Sequence, residues 1–154
     1  MTDESLRSRL TRLYFNCHPT YRSTGGWVTH LADDWSRARV KLPLTWRTRN
    51  VHGTLFGGSI YAAVDPLYAL MLGRRLGAGY EAWDDEAHVD FRKPGRETLY
   101  AECRVSDEEV ATVREALAGD ESASTTREYD IDLVDADGSV HATVEKTVYV
   151  RRRE

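Results

Sequence analysis

Between Asn50 and Pro66 the chain reads Asn-Val-His-Gly-Thr-Leu-Phe-Gly-Gly-Ser-Ile-Tyr-Ala-Ala-Val-Asp-Pro, which places several chemistry-bearing groups around one helix start. The first N–H groups of a helix have no partner inside it, and at Gly57 and Gly58 no side chain stands in front of them. Such groups suit a carbonyl oxygen that gains negative charge during a reaction. The same two glycines would equally allow a helix to pack closely on a sheet. Asp65 stands in the same apolar stretch, one turn from Tyr61, Ala62, Tyr68 and Ala69. A carboxylate withdrawn from water needs a partner, a proton or a task, and such groups concentrate at functional sites. A structural alternative is specific: Asp followed by Pro is also the pattern of a helix cap, with Pro66 opening a second helix. Because the residues from Gly57 to Val64 are themselves helix-like, one helix bent at Pro66 is the expectation.

The neighbouring residues divide in the same way. Asn50 either orients a reacting group or ties its own loop, and His52 is either a site imidazole or a surface one. Thr54, Phe56 and Ser59 flank the glycines and complete the candidate substrate lining. Tyr61 and Tyr68 have the spacing to hydrogen-bond Asp65 or to fill the core. Arg92 and Lys93, ahead of Pro94-Gly95, would hold a phosphate or form a solvated hairpin tip. Gly58 and Asp65 are seven positions apart, about 10 Å along one helix at about 1.5 Å per residue. One reacting carbonyl cannot touch both in a single chain. If they cooperate, the amide comes from one subunit and the carboxylate from its twin, so the chemistry requires a symmetric dimer.

These residues need a scaffold, and the periodicity supplies one. Residues 3 to 16 place Leu6, Leu10, Leu13 and Tyr14 at helical spacing among arginines, which predicts a surface helix lying on something larger. Trp27 to Ala32 and Ser36 to Leu42 alternate around Asp33-Asp34 as a hairpin. From Gly57 to Leu76 the apolar residues cover nearly the whole circumference, so that helix belongs inside, and Gly77 and Gly79 stop it. Ala87, Val89 and Phe91 alternate up to a turn at Pro94-Gly95, followed by Leu99, Ala101, Cys103 and Val105. Ser106 to Glu109 is a capping box that opens a short helix to Leu117, which Gly119 ends. Tyr129, Ile131 and Leu133 mark a strand, and Val140 to Val150, interrupted by Lys146, the last one. Arg151 to Arg153 reads as a solvated end. The class is α+β, and the only element large enough to be wrapped by the antiparallel sheet is the apolar helix. That architecture is a hotdog fold.

Composition narrows the function. The 154 residues carry 21 Lys plus Arg and 25 Asp plus Glu, a formal charge of -4, which excludes a dedicated polyanion binder such as a nucleic-acid protein. With 41% hydrophobic and 10% aromatic residues the chain can form a core without disulfides or metals. Cys17 and Cys103 fit no zinc spacing, so no metal or cofactor is expected, and reduced thiols suit a cytoplasmic protein. Residues 1 to 30 lack the apolar run of a signal peptide. The stretch from Leu55 to Leu72 contains Asp65 and Pro66, which argues for a buried helix instead of a membrane span. The expectation is a single domain over residues 1–154, with an N-terminal helix and loop over 1–20.

At Asn50, Gly53, Gly57, Gly58 and Asp65 the sequence resembles the hotdog-fold acyl-CoA thioesterase superfamily, in particular its phenylacetyl-CoA thioesterase-like branch, and looks closest to an uncharacterised branch of hotdog domains related to it. The superfamily pattern is Asn, two residues, Gly, two residues, His-Gly-Gly, then an acidic residue seven positions after the second Gly. Phe91 to Gly95 is similar to its strand-end motif. The motif covers Asn50 to Asp65, and the order of elements matches from about Trp27 to Val150. The resemblance implies a homodimer, or a dimer of dimers (homotetramer), that hydrolyses or binds acyl-CoA or a related thioester. In that picture Gly58 polarises the thioester carbonyl, Asp65 of the second subunit activates water or attacks, Asn50 orients the reacting group, and Arg92 and Lys93 meet the CoA phosphates. One departure stands out: Phe56 occupies the place of the superfamily's His, which keeps open a non-catalytic acyl-CoA or fatty-acyl binding protein. A hydratase or dehydratase pairing His52 with Asp65 is a third reading, without the Pro-Gly element and following Glu of that branch.

Overall fold

A computed structural model describes residues 4–119 and 123–153. The expected helix start at residue 3 lies outside them. The first strands are the hairpin read from alternation: β1 (Trp27–Leu31) and β2 (Arg37–Leu42) pair antiparallel, with a bulge between Val28 and His30. Four more strands follow, β3 (Tyr80–Phe91), β4 (Leu99–Arg104), β5 (Ser124–Val134) and β6 (Val140–Arg152). They form one six-stranded sheet in the order β1-β2-β4-β5-β6-β3, and every pairing is antiparallel. Arg151 and Arg152 extend β6 beyond the expected end at Val150.

Among the described residues five helices accompany the strands in chain order: α1 (Leu6–Cys17), α2 (Pro19–Arg22), α3 (Gly57–Ala62), α4 (Leu67–Leu76) and α5 (Asp107–Ala116), with a turn at residues 63 to 66 joining α3 to α4. The inward strand positions Val40, Leu99, Ile131, Val144 and Val148 form one core with Leu67, Tyr68, Met71, Leu72 and Leu76 of α4. Burying each such aliphatic side chain contributes about 1.5–3 kcal/mol, and this is what wraps the sheet around the helix. The fold is the hotdog architecture expected from the sequence.

Three local expectations need correction. The helix from Gly57 to Leu76 is not continuous: Pro66 has no N–H to donate, and the chain turns between Ala63 and Pro66 before α4 resumes. The carbonyls opened there find side chains instead, Ala63 accepting from the Tyr21 hydroxyl at 2.7 Å and Asp65 from Lys146. Pro94-Gly95 does not close a hairpin, because β3 pairs with β6 while β4 lies between β2 and β5. That segment is a crossover, pinned where Leu55 N donates to Gly95 O at 2.8 Å. Finally, α1 lies on β1 with its apolar residues outward: Leu6, Leu10, Leu13 and Tyr14 are exposed, whereas Ser8 and Asn16 are buried.

The polar underside of α1 has a clear task. Asn16 accepts from Val28 N at 2.8 Å and donates to Val28 O at 2.9 Å, and Glu4 accepts from Leu31 N at 3.2 Å. Side chains thus stand in for a seventh strand along the β1 edge, satisfying groups that would otherwise be left open. At the opposite edge, β3 pairs with β6 alone.

Candidate active site

The loop before α3 is built by Asn50. Its Oδ1 accepts from His52 N at 2.9 Å and Thr54 N at 3.1 Å, and its Nδ2 donates to Thr54 Oγ1 at 2.9 Å. Asn50 and Thr54 therefore shape the entry to the helix, and Thr54 is buried. His52 is exposed in this loop, and its ring has no hydrogen bond among the described residues. No hydrogen bond or ion pair joins His52 to Asp65 among the described residues.

Two aromatic rings flank the glycines that follow. A methyl at Gly58 would come 2.6 Å from Phe56 Cε1, and one at Gly57 would come 3.1 Å from Phe91 Cζ. Both rings are more than half exposed. The first hydrogen bonds of α3 run from Ser59 N and Ile60 N to Phe56 O, so the N–H groups of Gly57 and Gly58 lie ahead of the helical ladder. Gly57 thus packs on a ring from β3, whereas Gly58 packs on the ring of the residue that precedes α3. Thr54, Gly57 and Ile60 share with Phe91, Arg92 and Lys93 a depression of about 360 Å³. Arg92 is exposed and its Nε lies 3.4 Å from Asp90, while the backbone N–H groups of Arg92 and Lys93 donate to His141 O. Ser59 is half-buried and donates its backbone N–H to Phe56 O.

Asp65 occupies the break between α3 and α4. It does not cap α4, which has no side-chain cap. Nor is it buried within one chain: its side chain is 45% exposed, because the turn at Pro66 lifts it from the helix interior. Tyr61, one turn earlier, donates its hydroxyl to Asp65 Oδ1 at 2.6 Å. Burial and the adjacent Asp65 carboxylate both push the Tyr61 hydroxyl above its ordinary range, so it remains a donor. Tyr68 points the other way, stacked on Tyr129 at 4.1 Å, with its hydroxyl accepting from Arg104 N. It belongs to the core.

The sequence reading missed two residues at this place. Lys146, fully buried, lies 3.7 Å from Asp65 Oδ1 and donates to Asp84 Oδ2 at 2.7 Å. Burial raises the Asp84 carboxyl above the usual range, while Lys146 pulls the other way. Lys146 was visible only as an interruption of an apolar face. Asp84 gave no signal, because its inward aim depends on a bulge between Asp84 and Glu86.

The frame defines a class by its architecture: a hotdog-fold protein. The likeness extends over nearly whole chains. Protein PA5026 of Pseudomonas aeruginosa, of unknown function and described as a probable thioesterase, superposes with a TM-score of 0.79 at 17% identity, covering 95% of this chain and 96% of that one. Thioesterase HI1161 of Haemophilus influenzae gives 0.67 at 14% identity, with 99% and 96% covered. The E. coli PaaI protein, from the phenylacetic acid degradation operon, gives 0.61 at 18%, with 95% and 92% covered. At these identities the likeness establishes the fold. More particularly, the chain belongs to the family described as Domain of unknown function (DUF4442), whose model matches residues 7–150. No curated protein matches it.

Proposed function

We propose that this chain is an acyl thioesterase acting on acyl-CoA or a related thioester, with each site completed by two subunits of a homodimer. The observation that carries the reading is the Asp65 carboxylate, held by Tyr61 at 2.6 Å and presented half exposed at the break in the central helix. A carboxylate so placed can accept a proton from water or attack a carbonyl. The Gly58 N–H of the second subunit would polarise the thioester carbonyl, and Asn50 would act through the loop that it organises. The depression beside Arg92 and Lys93 fits the phosphates of CoA.

The dimer is supported by the unequal treatment of the two sheet edges. α1 covers β1, whereas β3 offers twelve residues of edge with no strand beyond it among the described residues. Beside it, the half-buried Ala69 and Leu70 of α4 and Ala82 of β3, with the exposed Trp83, line an open groove of about 730 Å³. A second copy pairing along β3 would cover both and bring the central helices together.

The test is thiol release from a panel of acyl-CoAs by the wild-type chain and by Asp65→Asn. Turnover is expected to fall well over tenfold with the fold intact; an equal rate removes Asp65 from the mechanism. A specific observation favours a second reading, in which the chain binds acyl groups without hydrolysing them: the Phe56 ring lies against Gly58, where the superfamily has His. Calorimetric binding of acyl-CoA without thiol release would decide for it.

A further inference from the structure

Along β6 the inward positions are Val144, Lys146 and Val148, so a charge stands where the alternation calls for an apolar side chain. Among the described residues no other lysine or arginine is buried. Its ammonium has two hydrogen-bond partners, Asp84 Oδ2 at 2.7 Å and the backbone carbonyl of Asp65. That carbonyl precedes the first hydrogen-bonded turn of α4, which runs from Leu70 N to Pro66 O. The ammonium also lies 3.7 Å from the Asp65 carboxylate and 5.9 Å from the centre of the Tyr61 ring.

A buried ion pair is a weak source of stability, since removing both charges from water offsets their attraction. This one is also incomplete: Asp84 Oδ1 is buried without a hydrogen-bond partner among the described residues. A device serving stability alone would be better made of apolar side chains. What the arrangement does accomplish is to hold one peptide group, the one ahead of Pro66, and to set a cation beside the carboxylate on that same residue. We infer that Lys146, anchored by Asp84, is a positioning residue for Asp65: it fixes the Asp65 carbonyl at the helix break and supplies the charge that balances the Asp65 carboxylate at the site. The inference rests on the thioesterase reading of Asp65 and adds a buried support behind it.

The decisive variant is Lys146→Met/Asp84→Asn, in which both charges leave together and neither is stranded. The titratable groups around Asp65 are Tyr61 from α3, Asp84 from β3 and Lys146 from β6, so the variant leaves Tyr61 as its one remaining neighbour among them. With acyl-CoA as substrate, kcat is expected to fall on the order of tenfold to a hundredfold with KM nearly unchanged. At a fixed pH, the carboxyl carbon-13 signal of Asp65 is expected to move from its wild-type position, because the ammonium beside it and the hydrogen bond on its carbonyl are gone. A shift in melting temperature with unchanged kcat and an unmoved Asp65 carboxyl signal would overturn the inference and leave Lys146 a core residue. If the double variant fails to fold, Asp84→Asn alone loosens the anchor while keeping the cation, and an unchanged kcat there overturns the inference equally. A wild-type chain that binds acyl-CoA but releases no thiol refutes the hydrolase reading, whereas the Asp65 carboxyl signal at fixed pH, which needs no turnover, still decides the role of Lys146.

Discussion

Tyr61 and Asp65 are one helical turn apart, and the hydrogen bond between them survives the interruption of the helix because Asp65 N still donates to Tyr61 O at 3.0 Å. The Tyr61 hydroxyl restricts a carboxylate that would otherwise turn freely in a half-exposed position. Tyr61→Phe is expected to lower kcat by about two- to tenfold, the equivalent of one hydrogen bond, with little change in melting temperature. Steady-state kinetics and a thermal melt on the same preparation check this; a large loss of stability would mean that Tyr61 supports the fold and not the carboxylate. At this scale the sequence was informative about residue types and uninformative about aim. Tyr61 and Tyr68 flank Asp65 at similar spacing, yet only Tyr61 reaches it, because the turn at Pro66 rotates α4 and sends Tyr68 onto Tyr129. Asn50 could be read as a reacting-group ligand or as a loop residue, and its three short-range hydrogen bonds give it the loop.

The elements were mostly legible, since period-two alternation and caps depend on near neighbours in the chain. Ser106 caps α5 by accepting from Glu109 N at 3.0 Å, as the capping box predicts, but the Glu109 side chain turns away to Arg127 and Tyr129 on β5. The outer face of β2 and β4 shows a similar cross-strand logic. Arg37 and Arg39 donate to Glu102 at 2.7 Å each, and Arg104 joins them. Burial works to raise the Glu102 carboxyl, but these hydrogen bonds outweigh it and bring it from 4.5 down to about 2. A carboxylate lowered on folding stabilises the protein above its unfolded value and loses that contribution as pH falls through its folded one. The stability difference between wild type and Glu102→Gln should therefore be full above about pH 4.5 and vanish towards pH 2. Denaturant unfolding at a series of pH values reads it directly; a difference that persists unchanged at the acid end contradicts the network. The inverted α1 was not legible, because helical periodicity reports that a helix is amphipathic without saying which face meets the sheet. Here the hydrogen-bonding needs of the β1 edge decided for the polar face.

For the molecule as a whole, the proposed dimer rests on an edge closed by side chains at β1 and an edge at β3 with no strand beyond it among the described residues. Light scattering after size exclusion is expected to give twice the mass of the chain, and a monomer at working concentration would sink a site shared between subunits. Strand periods, helix caps and the apolar central segment were determined by the sequence itself, because each is fixed by residues a few positions apart. The sheet order, the crossover at Pro94-Gly95 and the union of Lys146 with Asp65 and Asp84 were decided by tertiary structure. Those partners lie 81 and 62 residues from Lys146. Alternation tells a side chain which face of the sheet to occupy, but only strand order, a bulge and a broken helix tell it which charge it will meet there.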